Sequence, residues 1–244
     1  KRLIKLAWFG IDGKQGETHE LLIERNSQIK DLLAIIAEKH PSQPGGAGKY
    51  RILEVFGHKL YREFAPDSPL SSLSEYYSSS SLYGSTTQYS YQYRVEEKPV
   101  EEQTMTSNHV RLHVVHFTKD INGSANLFGD PFYAVVKKGT TLAEFKPVLQ
   151  KRLGVSDEEF AKWKFAHISY MQPKMLEDKS LVATEAMIKA AAGATGGEAW
   201  NTSYYYGNAE YFGLYHIDIS ATKSPASSPY SPFRRVEKSI KING

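Results

Sequence analysis

The sequence contains no cysteine among its 244 residues. This absence excludes disulfide bonds, thiolate metal ligands and a cysteine nucleophile from the chain. No run of 18 apolar residues is present either, so no segment is predicted to cross a membrane. The first residues, KRLIKLAWF, lack an initiator methionine and the features of a signal peptide, which predicts that the chain is part of a longer one.

Net charge is also low, and it is confined to one end of the chain. The formal charge is +3 at pH 7. Residues 231–244 hold four basic residues and one acidic residue, so the rest of the chain is neutral overall. One hypothesis is therefore that this end tethers the chain to nucleic acid or to anionic lipid.

The same end has a strand-like alternation. Val236, Ile240 and Ile242 share one parity, and Lys241 lies between the two isoleucines. The segment is too short to bury these side chains by itself, which predicts that it docks on another surface. The preceding residues, 221–232, contain three prolines and are expected to form an extended, semi-rigid linker.

The first half of the chain shows the order strand, strand, helix, strand, strand, strand. A helix is predicted over 27–40, because four aliphatic residues from Ile29 to Ile36 follow the i, i+3, i+4, i+7 spacing and Ser27 is placed to cap it. Strands are predicted at 2–9, 18–24, 49–57, 58–64 and 89–97.

The second half repeats this order with an offset of about 108 to 113 residues. Thr141 and Glu144 form a capping box that opens a helix over 141–153, in which Pro147 predicts either a kink or a later start. A second capping box opens a short turn in SDEEF. Strands are predicted at 110–117, 132–138, 163–171 and 210–220.

This repeated order predicts an α+β fold made of two tandem ubiquitin-like β-grasp domains followed by an extended tail. The short acidic spacer at 96–108 is interpreted as the boundary between them. The Ser/Tyr-rich segment 71–93 is predicted to be a mobile loop, because its composition buries little surface. The predicted units are a domain at 1–103 with an insertion at about 74–88, a domain at 108–221 with a Gly/Ala/Tyr-rich insertion at about 187–207, and a linker and tail at 222–244.

No catalytic constellation emerges from the remaining motifs. GGAGKY (45–50) resembles a phosphate-binding loop, but Tyr50 stands where Ser or Thr would bind magnesium, so a helix-to-strand connection is favoured. His113 and His116 have an odd spacing that places them on opposite faces of a strand, which argues against a shared metal ion. The tyrosines of 71–93 lack the cations that a nucleic-acid groove needs. We therefore expect no cofactor, no metal and no membrane contact, and nucleic acid is disfavoured as a partner.

Several segments resemble the C-terminal region of the herpesvirus-associated ubiquitin-specific protease family. The most specific are FGDPF (128–132), EEFAKWKFA and the final VEKSIKING, and GKYRILEVFGHKL and YQYRVEEKP are similar to the preceding module. The resemblance implies the fourth and fifth ubiquitin-like domains plus the activating tail of a cysteine-type deubiquitinase, from a fungal or yeast relative. It also implies that the tail docks on the catalytic domain through Ile240 and Ile242, with Lys241 and Val236 beside them.

Two functions remain open at this point. The first is a non-catalytic region that folds back on the catalytic domain of its own polypeptide and promotes the active conformation. The second is a docking scaffold whose ubiquitin-like surfaces recruit substrate or adaptor proteins, with the tail as a disordered end. In either case ubiquitin would be contacted only indirectly, and we expect an intracellular location in nucleus and cytoplasm.

Overall fold

A computed structural model describes residues 1–73, 77–80, 86–89, 92–193 and 210–217. The first half forms a five-stranded sheet with the strand order β2-β1-β7-β3-β4. Its elements are β1 (Arg2–Phe9), β2 (Gln15–Ile23), α1 (Ile29–Lys39), β3 (Gly46–Phe56), β4 (Lys59–Glu63), a 3₁₀ turn (Leu70–Ser72), a separate hairpin of β5 (Tyr77–Ser80) and β6 (Thr86–Tyr89), and β7 (Gln92–Pro99).

A short helix, α2 (Val100–Gln103), leads into the second half. That half forms another five-stranded sheet, in which the strands are ordered β9-β8-β12-β10-β11. Its elements are β8 (His109–Lys119), β9 (Ala125–Lys137), α3 (Leu142–Leu153), α4 (Asp157–Phe160), β10 (Lys164–Ser169), β11 (Gln172–Met175), α5 (Glu185–Gly193) and β12 (Tyr211–Tyr215).

The two sheets have the same topology. In each, the first and last strands lie side by side in the middle and run parallel, whereas the other neighbouring strands are antiparallel. One amphipathic helix follows the first hairpin and packs on one face of the sheet, α1 in the first half and α3 in the second. This arrangement confirms the predicted fold class, two tandem ubiquitin-like β-grasp domains.

The beginnings of α1 and α3 confirm the internal repeat and correct one detail. In α1 the N–H groups of Ile29 and Lys30 donate to backbone carbonyls of the loop after β4, at Ser68 (3.0 Å) and Pro66 (2.8 Å). The first N–H groups of α3 donate in the same way to Ser180 and Asp178. The predicted Ser27 cap is therefore wrong: a distant loop supplies the acceptors, and Gln28 occupies the N-cap position.

The second helix begins as the sequence predicts. Thr141 is its N-cap, and its backbone N–H donates to Glu144 Oε2 at 2.8 Å, which completes the capping box. Pro147 lies inside α3, which runs without interruption through it. Ser156 caps α4 by accepting a hydrogen bond from the N–H of Glu159.

Other elements differ from the prediction. The Ser/Tyr-rich segment contains the β5–β6 hairpin. The strand predicted at 163–171 ends at Ser169, because the chain turns at Tyr170 and Met171 with positive φ and returns as β11. The segment from about 187, predicted as an insertion, begins within α5, and Met187 is buried in the core of the second domain. Among the helices of the described residues, none has the length and apolar character needed to span a membrane.

Candidate functional site

The predicted tail residues Val236, Ile240, Lys241 and Ile242 lie outside the described residues. The described part of the chain instead contains a buried network of ionised side chains between the two β-grasp domains. Its members come from β3, β4, β7 and α2 of the first half and from β8 of the second. We call it the interdomain ion network, and it consists of Arg51, Glu63, Arg94, Glu96, Glu102 and Arg111.

Arg51 is at the centre of the interdomain ion network and is only 1% exposed. Its guanidinium donates to Glu96 Oε1 through Nε at 2.8 Å, and to both carboxylate oxygens of Glu102 at 2.6 and 2.9 Å. On the side of the second domain, the ring of Tyr133 lies 4.8 Å from the guanidinium carbon. Burial disfavours the charged guanidinium, but the two carboxylates outweigh it and raise the pKa of Arg51.

Glu96 is shared between two arginines. It accepts from Arg51 and is ion-paired with Arg94, whose guanidinium also lies over the ring of Phe9 at 3.9 Å. Burial alone would raise the pKa of Glu96, yet Arg94 and Arg51 together lower it to about 2. The carboxylate is therefore ionised at every physiological pH, and its charge is matched inside the interface.

The motif FGDPF supplies the second domain's side of this interface. Gly129 has a φ of +63°, which favours glycine, and its carbonyl lies 2.8 Å from His58 Nδ1 in the turn between β3 and β4. The carbonyl of Pro131 accepts a hydrogen bond from Arg94 at 2.7 Å. Partial desolvation raises the pKa of the Asp130 carboxyl group. This motif therefore contacts the first domain through its backbone.

The acidic spacer, interpreted from the sequence as the boundary between the domains, also contributes to the contact between them. Its residues Glu96 and Glu102 belong to the interdomain ion network. Arg111 of β8 extends the network by donating to Glu63 at 3.0 Å and by approaching Glu102 to 3.6 Å. The sequence signal was the run of glutamates beside a strand, but it does not show which distant arginines face them.

A third spacer glutamate, Glu97, organises the glycine-rich loop. Its carboxylate accepts hydrogen bonds from the backbone N–H groups of Gln43 (2.8 Å) and Gly48 (2.7 Å) and from the hydroxyl of Ser42 (2.5 Å). Burial would raise the pKa of Glu97, but these hydrogen bonds hold it below its usual range. The segment from Ser42 to Gly48 thus binds a carboxylate of its own chain, which supports the interpretation of GGAGKY as a helix-to-strand connection.

The two histidines of β8 lie in different surroundings, as their spacing predicts. His113 packs against Tyr133 and Tyr211, with ring centroids 4.7 and 6.3 Å away. His116 Nδ1 lies 2.7 Å from His216 Nε2, and the His216 ring stacks on Trp163. Burial lowers the pKa of both His113 and His116 to about 3, so both rings are neutral in the folded protein.

Comparison with known proteins defines the family. The family model described as "Ubiquitin-specific protease C-terminal" matches residues 1–220. Ubiquitin C-terminal hydrolase 13 of Arabidopsis thaliana is 30% identical over 243 residues, and Ubiquitin carboxyl-terminal hydrolase 7 of Drosophila melanogaster is 30% identical over 244 residues. In both cases the match covers 99% of this chain and 19% of the relative. Ubiquitin carboxyl-terminal hydrolase 15 of Schizosaccharomyces pombe is 32% identical over 184 residues, covering 73% of this chain and 15% of the relative.

The fold and the chemistry of the described residues define the class of protein: a cysteine-free pair of ubiquitin-like domains joined by a buried ion network. The family follows from the comparisons, because the matched model covers most of the chain. The chain belongs to the ubiquitin-specific protease C-terminal family. It spans about a fifth of the length of the curated hydrolases that it matches.

Proposed function

We propose that this chain is the non-catalytic regulatory region of a cysteine-type deubiquitinase, and that its tail docks on the catalytic domain and favours the active conformation. The observation that supports this most strongly is the match over 99% of the chain to relatives named as ubiquitin hydrolases. No thiol nucleophile is available within the chain, so the catalytic cysteine would lie elsewhere in a larger polypeptide.

The finer features of the proposal come from the resemblance. The two domains would be the fourth and fifth ubiquitin-like domains of a fungal or yeast member, with bounds at 1–103 and 108–221 and the tail at 222–244. The partners would be the catalytic domain of the same polypeptide and substrate or adaptor proteins, with ubiquitin contacted indirectly. The location would be intracellular, in nucleus and cytoplasm.

The energetics of the tail suit an adjustable contact. Burying Ile240 and Ile242 would contribute about 3–6 kcal/mol before the cost of ordering the segment. A free peptide with that affinity binds at about millimolar strength, and a flexible tether supplies an effective concentration that is also about millimolar. The bound and free tails would then be similarly populated, so that a partner protein could shift the balance.

The interdomain ion network would hold the two domains in a fixed orientation, from which such a tail could extend. Hydrogen bonds and ion pairs from β4, β7 and α2 to the second domain oppose independent rotation of the two β-grasp units. The tail would extend from a rigid base near Ile217, where the described part of the second domain ends. Roughly 20 residues in extended polyproline conformation reach about 60 Å from there to Val236.

The test is hydrolysis of a fluorogenic ubiquitin substrate by the catalytic domain of the parent protease. It is measured alone, with this chain added in trans, and with the Ile240→Asp/Ile242→Asp variant. A matched control, Ser239→Asp/Asn243→Asp, adds the same charge without removing an isoleucine. We expect the chain and the control variant to raise turnover and the isoleucine variant to fail.

If the chain added in trans leaves turnover unchanged, the assay is repeated with the covalently linked protein, because weak docking requires the tether. There, removal of residues 233–244 is expected to lower turnover. Unchanged turnover in the linked protein would refute activation by the tail.

The docking scaffold remains the second candidate, because the first sheet exposes an apolar pair. Leu3 of β1 and Leu22 of β2 are cross-strand partners and are 60% and 63% exposed. Adjacent exposed leucines on a sheet face suit a protein partner. If Leu3→Ser/Leu22→Ser abolishes capture of substrate or adaptor proteins while the tail variants keep full turnover, recruitment is the function.

A further inference from the structure

Three potential metal ligands converge at one edge of the first domain. Glu17 and His19 are two residues apart on β2, so their side chains lie on the same face of that edge strand. His40 is the C-cap residue of α1 and approaches them from the end of the helix. The ligand atoms of these three side chains all lie within 4.8 Å of one another, and no second group of this kind is found within the described residues.

Their ligand atoms point at one another. The Nε2 atoms of His19 and His40 are 2.6 Å apart. Glu17 Oε1 lies 3.6 Å from the first of these nitrogens and 3.5 Å from the second. In a tetrahedral zinc site with bonds near 2.0–2.1 Å, neighbouring ligand atoms are about 3.3 Å apart. The carboxylate therefore already lies at the required separation, and the two rings would part by about 0.7 Å.

The His40 ring is held in place by its surroundings. It stacks on Trp8 with centroids 3.9 Å apart and planes within 7°. The N–H of His40 donates to Ile36 O at 2.9 Å, and its carbonyl accepts a hydrogen bond from the hydroxyl of Tyr50. The backbone and one ring face are thus fixed independently of the Nε2 atom, which is the pre-organisation that a metal ligand needs.

We propose that Glu17, His19 and His40 form a binding site for Zn²⁺ or a similar divalent transition-metal ion. Two imidazole nitrogens and one carboxylate are a ligand set that zinc prefers. Glu17 is 66% exposed, so the fourth position faces solvent and is open to water or to a ligand from another molecule. The bound ion would tie edge strand β2 to the end of α1.

Co²⁺ provides the most direct test, because its visible absorption reports on ligand number and geometry. The 244-residue chain, freed of metal by chelation, is titrated with Co²⁺ and then with Zn²⁺. We expect a single tetrahedral Co²⁺ spectrum per chain that Zn²⁺ displaces, and a thermal midpoint that rises with Zn²⁺ concentration.

Two variants remove ligands and one serves as a matched control. His40→Gln and Glu17→Gln, the latter at an exposed residue, are each expected to lower the affinity for Co²⁺ at least about 100-fold. Even outer-shell partners of metal ligands contribute about 10–100-fold. The control is His216→Gln. His216 pairs with His116 at 2.7 Å and stacks on Trp163 at 4.0 Å, so its surroundings resemble those of His40, but it lies outside the group of three ligands. It should leave the first equivalent of Co²⁺ bound.

Absence of a tetrahedral Co²⁺ spectrum at 1:1 stoichiometry would overturn the proposal. So would a spectrum that survives both His40→Gln and Glu17→Gln. If His40→Gln unfolds the chain, the decision rests on Glu17→Gln, whose exposed side chain makes no buried contact that folding needs.

Discussion

Replacing Arg51 by methionine tests how strongly the interdomain ion network joins the two domains. Methionine keeps most of the length of the side chain but removes the guanidinium, which leaves Glu96 and Glu102 without their central partner. Removing one partner of a buried ion pair costs about 3–5 kcal/mol, because an uncompensated charge remains buried. That is a large part of the roughly 5–15 kcal/mol by which proteins of this kind are stable.

The assay is urea unfolding followed by circular dichroism and by tryptophan fluorescence. The parent chain is expected to unfold in one transition, because each domain supplies part of the network. Arg51→Met should lower the free energy of unfolding by about 3–5 kcal/mol and separate the transitions of the two probes. Arg25→Met is the control: Arg25 is exposed, so its replacement should change stability by no more than about 0.5 kcal/mol.

The pH dependence provides a second readout. The pKa of Glu96 is about 2 in the folded chain, below its ordinary value of 4.5, so the folded state binds fewer protons than the unfolded one in that window. The stabilisation is complete above about pH 4.5 and is lost as the pH falls towards 2. In Arg51→Met the loss should still begin near pH 4.5, but it should be smaller and complete at a higher pH, since Arg94 and Arg152 remain to lower the pKa of Glu96. A variant as stable as the parent, with one transition and the same acid limb, would refute this account of the interface.

Three further predictions concern single sites. Gly46→Ala should destabilise the chain by about 1–3 kcal/mol in urea unfolding, because the new Cβ would overlap with the carboxyl group of Glu97; an unchanged midpoint would contradict this. His113 and His116 stay neutral when buried, so the urea midpoint should fall as the pH drops from about 6.5 towards 3. His116→Gln should make the midpoint depend less steeply on pH, and an unchanged pH dependence would contradict this role of His116. Pro147→Ala should raise thermal stability by up to about 3 kcal/mol by restoring a helical N–H; a lower melting temperature would show that the ring packs favourably.

Local signals predicted the elements that depend on local chemistry. The aliphatic spacing from Ile29 to Ile36 and the capping box at Thr141 each act within a few residues, and each was found where the sequence placed it. The doubled order of elements then sufficed for the topology, because the β-grasp arrangement follows from that order.

Features that depend on distant contacts were not predictable in this way. The start of α1 is satisfied by a loop about 40 residues later, which made a Ser27 cap unnecessary. The hairpin between β10 and β11 turns at Tyr170 and Met171, where no glycine or asparagine signals positive φ. The ion pairs of the spacer were also missed, since a sequence does not show that Arg51 and Arg94 lie against Glu96.

The parallel pairing of the first and last strands has a mechanical consequence. In the first domain β1 and β7 are neighbours from Ala7 and Arg94 onward, and β8 and β12 are neighbours in the second. A force that pulls on the two ends of either domain therefore acts along the paired strands. It loads their hydrogen bonds together in shear, whereas an antiparallel pair pulled from adjacent ends opens one bond at a time. Each unit is thus built to transmit tension along the polypeptide before it yields.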